Sequence, residues 1–166
     1  MSDNEANGKK LELVVTRIID APLEVVWKAW TDPEDVKRWW GPKDYTSPSC
    51  AIDFRVGGKF VFCMRAPQEQ GGQDSYTSGV YEKIVLMERL EFTQSLSDKD
   101  GNKINPTEIG MPADFPEVIH TTIAFKAKGS MTELVITEHG WTPGQMYVYS
   151  LAGMHQTIDK LAESLA

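Results

Sequence analysis

Apolar and polar positions alternate, recur at helical spacing, then alternate again along most of this chain. After ten polar opening residues, "LELVVTRIID" alternates from Leu11 to Asp20 and predicts a first strand. "APLEVVWKAW" then sets Leu23, Val26, Trp27 and Trp30 on one face of a helix whose first position is Pro22. "TDPEDVKRWWGP" predicts a second short helix: Asp32 caps it, Pro33 takes the first position, Glu34 and Asp35 suit its positive end, and Gly41-Pro42 stops it. Val36, Trp39 and Trp40 share a face by spacing. Successive helical residues differ by about 100°, so one of the adjacent rings is expected in the core and the other at a pocket rim or under a loop.

Strand patterns follow in series. "CAIDFRVGGKFVFCMR" predicts a hairpin turning at Gly57-Gly58, with Cys50, Ile52 and Phe54 on one face of its first arm and Phe60, Phe62 and Met64 on one face of its second. "YTSGVYEKIV" and "RLEFTQSL" predict another hairpin, and "VIHTTIAFKA" and "MTELVITEHG" a third, joined at "KGS". Between them, Asp98 to Glu117 has no periodicity, and a loop of that length is expected to act as a gate or binding loop. From Thr142 and Pro143 onward, Tyr147, Leu151, Met154, Ile158, Leu161 and Leu165 form the stripe of a long amphipathic helix. The order is one strand, two short helices, about six strands and a long helix. It predicts an α+β domain over residues 11–166 behind a disordered tail, residues 1–10. Its antiparallel sheet of six to seven strands would curve around the C-terminal helix and enclose an apolar space.

Charge narrows the partners. With 24 acidic against 17 basic residues, a net charge of −7 and no Lys/Arg cluster, neither nucleic acid nor an anionic membrane is an expected partner. The opening residues lack the apolar core of a secretory signal, and no run reaches the ~18 apolar residues of a membrane span. A cytoplasmic location is expected. Cys50 and Cys63 have no CxxC spacing and read as buried free thiols. His120, His139 and His155 lack metal-ligand spacing, and "DKDGN", Asp98 to Asn102, reads as a turn rather than a calcium loop, so no metal or cofactor is expected.

The candidate site is the space between sheet and helix. Its expected wall is Trp30, Trp39, Trp40, Phe54, Phe62, Met64, Phe125, Met154 and Ile158, with Met111 and Phe115 of the long loop at its mouth. Alternation puts Leu134, Ile136 and Glu138 on one strand face. If that face is the inner one, Glu138 is a carboxyl in apolar surroundings with a raised pKa. Glu138 and His155 are the candidates for a catalytic base; no nucleophile motif accompanies them.

"APLEVVWKAWTDPEDVKRWWGP", "IDFRVGGKFVF", "SGVYEKIV", "RLEFT", "TELVITEHG" and "AGMHQTIDKLAESL" together resemble the family named for the activator of the Hsp90 ATPase, within the START-like or SRPBCC (Bet v 1-like) superfamily. The resemblance runs from Leu11 to Ala166 and implies the helix-grip fold, whose cavity serves across the superfamily for lipids, sterols, polyketides and other apolar molecules. It does not imply one activity, because function resides in the site and not in the fold. The chain departs from the family's common "GW" pair in the last helix, carrying Gly153-Met154, so pocket shape does not transfer from relatives. Three functions are thus expected to compete. The first is non-enzymatic binding of a small apolar or aromatic molecule, and the second is a cyclase- or hydrolase-like enzyme using the same cavity. The third is a chaperone-associated interaction module with a protein partner, although only the START-like domain is expected here. The protein would be a monomer or homodimer.

Overall fold

The computed structural model describes residues 9–166, so the expected tail falls, as far as residue 8, outside the described residues. Seven strands, β1 (Leu11–Ile19), β2 (Cys50–Ile52), β3 (Lys59–Arg65), β4 (Asp74–Val85), β5 (Arg89–Ser97), β6 (Ile119–Lys128) and β7 (Met131–Trp141), form one antiparallel sheet in the order β1-β7-β6-β5-β4-β3-β2. Helices α1 (Leu23–Thr31) and α2 (Pro33–Val36) follow β1, and α3 (Gln145–Ser164) closes the chain. This is the α+β helix-grip fold: strands consecutive from β2 to β7 pair with one another, β4–β5 and β6–β7 through tight turns and β5–β6 across the long 98–118 loop, while β1 joins the far end of the chain by pairing with β7.

Strand alternation sorts the residues as expected. Leu13, Val15 and Ile19 of β1, Leu90 and Phe92 of β5, Ile123 and Phe125 of β6, and Leu134 and Ile136 of β7 are all buried. In β1 Val14, Thr16 and Ile18 between them are exposed, and Arg17 is half-buried. Helix α1 packs Val26, Trp27, Ala29 and Trp30 onto this layer, and α3 adds Ile158 and Leu161. Asp32 caps α2 by accepting from the Glu34 N–H at 2.9 Å. Gly41 ends this segment with φ at +103°, where a side chain would be strained.

Four boundaries differ from the sequence expectation. Helix α2 ends at Val36, and residues 37–39 continue as turns, so Trp39 and Trp40 lie beyond the helix. Pro22 is the N-cap of α1 and not its first helical residue, because its ψ of 156° is still extended. Strand β2 stops at Ile52, since Asp53 and Arg55 close a tight loop with Gly58 N–H donating to Arg55 O at 2.8 Å. Phe54 is thereby released from the ladder and packs edge-on against Trp27 and Tyr81. Helix α3 starts at Gln145, after the Thr142-Pro143-Gly144 link.

Candidate functional site

Strand register decides what the inner face of the sheet presents. Toward one end the paired residues are apolar: Phe125 opposite Leu134, Ile123 opposite Ile136 and opposite Leu90. Toward the other end the pairs carry polar groups: Thr121 opposite Glu138, Gln94 opposite Ile119, and Thr77 opposite Leu96. A cavity of about 180 Å³ lies over this second end. Its apolar walls are chiefly Trp40, Met64, Ile119, Phe115, Trp141 and Met154.

Among the described residues, Glu138 is the cavity's one ionisable lining group, and it is only 5% exposed. Trp141 Nε1 donates to its Oε1 at 3.0 Å, and Gln94 Nε2 donates to its Oε2 at 2.6 Å. The same Gln94 nitrogen also donates to Thr121 Oγ1 at 3.0 Å. Burial pushes the Glu138 carboxyl above its ordinary value, and the two N–H donors pull it only partly back. Trp141 reaches Glu138 because of a bulge. The β1–β7 register shifts between Leu11 and Glu12, leaving Gly140, at φ +104°, as the extra residue; this turns Trp141 to the inner face beside Glu138.

The adjacent tryptophans separate as their spacing requires. Trp39 is 1% exposed, donates from Nε1 to Ala29 O at 3.0 Å and meets Trp30 at a centroid distance of 4.6 Å. Trp40 borders the cavity and packs edge-on against Phe62 at 4.9 Å. The backbone that carries Trp40 is tied to α3 by Lys160. Its Nζ donates to the carbonyls of Tyr45 at 2.8 Å, Gly41 at 3.0 Å and Pro42 at 3.3 Å, and it lies 3.5 Å from that of Trp40. Burial holds the Lys160 ammonium pKa below its ordinary value.

Of the wall and mouth expected from sequence, Trp40, Met64, Phe115 and Met154 line the cavity, as does Glu138, named from sequence as a candidate base. Trp30, Trp39, Phe62, Phe125 and Ile158 are buried in the filled core, and Phe54 packs against that core from its loop. Met111 lies in the long loop away from the cavity, its N–H donating to Pro106 O, and Phe115 packs edge-on to Trp141 at 5.5 Å. His155 is exposed, one position past Met154, and so stands away from Glu138. His120 and His139 face Glu82 and Glu12 on the surface. Sequence reasoning missed Gln94, Thr121 and Trp141. The signal for the first two was a polar residue on an otherwise apolar alternating face.

Among the described residues, no three His, Cys, Asp or Glu side chains cluster as a metal site would require, and no helix is long and apolar enough to cross a membrane. Burial pushes the Cys50 thiol up to about 12 and raises that of Cys63, so both are poor nucleophiles at neutral pH.

The model of the activator of Hsp90 ATPase homolog 1-like family matches residues 20–166. No curated protein matches the chain in sequence. A crystal structure of a Nitrosomonas europaea protein superposes with a TM-score of 0.73 at 27% identity, covering 93% of this chain and 94% of that one. A Chromobacterium violaceum protein superposes at 0.72 with 24% identity, over 93% and 96%. An AHSA1-like protein from Aeromonas hydrophila does so at 0.68 with 20% identity, over 93% and 91%. The last two likenesses speak to the fold alone.

Proposed function

The chain belongs to the activator of Hsp90 ATPase homolog 1-like family, and from that premise we propose that it binds a small apolar or aromatic molecule between sheet and α3. The observation that carries this reading is the cavity over the polar end of the sheet: about 180 Å³, walled by rings and methionines, with the buried, hydrogen-bonded Gln94 and Glu138 in its lining. That volume is below the ~300 Å³ at which ordinary ligand pockets begin, and close to apolar cavities of about 150 Å³ that take up benzene. The ligand is therefore of one- or two-ring size. The 98–117 loop, through Phe115 and Pro116, forms part of the wall, and its movement would admit the ligand.

The enzyme reading rests on Glu138 alone. A buried carboxyl with a raised pKa suits a general base, but among the described residues no histidine lines the cavity and no lining serine is hydrogen-bonded to a base. Binding without turnover accounts for more of the site. The test is a thermal-shift screen of the purified protein against small aromatic and apolar compounds, with tryptophan fluorescence as a second signal. A concentration-dependent rise in Tm with a change in emission is expected, since Trp40 and Trp141 are wall residues. No shift with any compound would refute the reading, and consumption of a bound compound that stops in Glu138→Gln would replace it with catalysis.

A further inference from the structure

The lining of the cavity is unbalanced in charge. Among the described residues it contains one carboxyl and no Lys, Arg or His. The two groups that hold Glu138, the Trp141 indole and the Gln94 amide, are neutral donors, so a Glu138 carboxylate has no counter-ion among the described residues. Lys160, a cation of the neighbouring helix turn, is spent on the backbone carbonyls of residues 41, 42 and 45. The protein's net charge of −7 also favours the approach of cations over anions.

Resting on the binding function above, we propose that the cavity selects a protonated amine on a small ring-sized apolar body. The ammonium sits against Glu138, and the body lies among Trp40, Phe115 and Met154. Three features of the site act together on such a ligand. Its positive charge supplies the counter-ion that a buried carboxylate needs. The rings of Trp40 and Phe115 line the same space, and an aromatic ring attracts a cation that lies over its face. The Gln94 and Trp141 donors keep the carboxylate oxygens oriented before the ligand arrives, which lowers the ordering cost of binding. A carboxylate ligand of the same shape would instead meet a like charge with nothing to offset it.

The experiment compares benzylamine, benzyl alcohol and benzoate, which share one ring and differ in charge, by calorimetric titration at neutral pH. Benzylamine is expected to bind at least tenfold more tightly than benzyl alcohol, and benzoate not to bind. In Glu138→Gln the amine should lose its advantage and bind no more tightly than the alcohol does to the same variant. The wild-type series stands alone if that variant does not fold. Equal or tighter binding of the alcohol or benzoate overturns the amine inference and leaves the binding function standing. So does an amine preference that survives in a folded Glu138→Gln protein. Failure of all three probes overturns the inference, and only failure of the wider compound screen as well overturns the binding function.

Discussion

The two ends of the sheet's inner face are built from the same kinds of side chain and behave differently. At one end Leu13, Val15, Ile123, Leu134 and Ile136 meet Trp27, Trp30, Ile158 and Leu161, and the space between the layers is filled. At the other, Trp40, Phe115, Trp141 and Met154 stand around a void, and three strands turn Gln94, Thr121 and Glu138 inward. Aromatic content does not distinguish the ends. What distinguishes them is buried polarity, which a fold tolerates only where hydrogen bonds satisfy it, and which gives a ligand something to recognise.

The adjacent tryptophans test this most strongly. Trp39 is packed on all sides and holds a buried hydrogen bond to Ala29, so Trp39→Ala should cost about 3–5 kcal/mol of stability. Trp40 borders the void, and its indole N–H has no partner to lose. Trp40→Ala should therefore cost clearly less in urea unfolding, while weakening ligand binding. Equal losses would mean that the cavity end is as well packed as the core.

Lys160 should come next. Its ammonium ties the segment bearing Trp40 and Pro42 to α3, and hydrogen bonds to a charged group are worth about 1.5–3 kcal/mol. Lys160→Met keeps the stem and removes the donors. A loss of that order, with lower affinity, is expected; unchanged stability would show that the segment is held by other contacts, such as Lys43 N–H to Gln156 Oε1.

Most of the fold was legible because alternation and helical spacing are local. Leu134, Ile136 and Glu138 share a face by simple count, and the structure makes that face the inner one. The rest of the site depends on pairings between strands far apart in sequence. Gln94 and Thr121 each interrupt an apolar face in their own strand, but only the β5–β6–β7 register brings them to Glu138. Trp141 was hidden for another reason: Gly140 adds one residue to the strand and reverses the alternation after it. Trp30, Phe125 and Ile158 were expected at the pocket because side-chain type alone does not separate a filled space from an empty one.

A titration distinguishes the two ends without perturbing packing. In the folded state the Glu138 carboxyl keeps its proton above the ordinary value of 4.5, so between that pH and its raised value the folded protein binds more protons than the unfolded chain. Stability should fall as pH rises through that window, by up to about 1.4 kcal/mol per pH unit for one proton. Arg65 beside Asp74, Arg89 beside Glu91, and the backbone N–H and side chain of Asn102 at Asp98 hold those carboxyls below their ordinary values. Their contributions are lost as pH falls, a separate window on the acid side. Glu138→Gln should flatten the upper window alone, and a slope unchanged in that variant would assign it elsewhere.

The smallest change in stability is expected from Met154→Trp, and it bears most directly on the void. Met154 points into the cavity from α3 at a position where Gly153 leaves the helix close to Pro42, whose Cβ lies 4.0 Å from a Cβ built on that glycine. An indole there enters existing space, so it displaces no packed neighbour and adds buried apolar area. The overpacking penalty of about 1–3 kcal/mol that a filled core would exact should not arise. Stability within about 0.5 kcal/mol of wild type, together with loss of ligand binding, is therefore the expected result. The same substitution at Ile158, one turn along the same stripe, has no such space and should destabilise by the full penalty. If Met154→Trp destabilises as much as Ile158→Trp, the cavity closes in solution, and the contrast between the two ends of the sheet disappears with it.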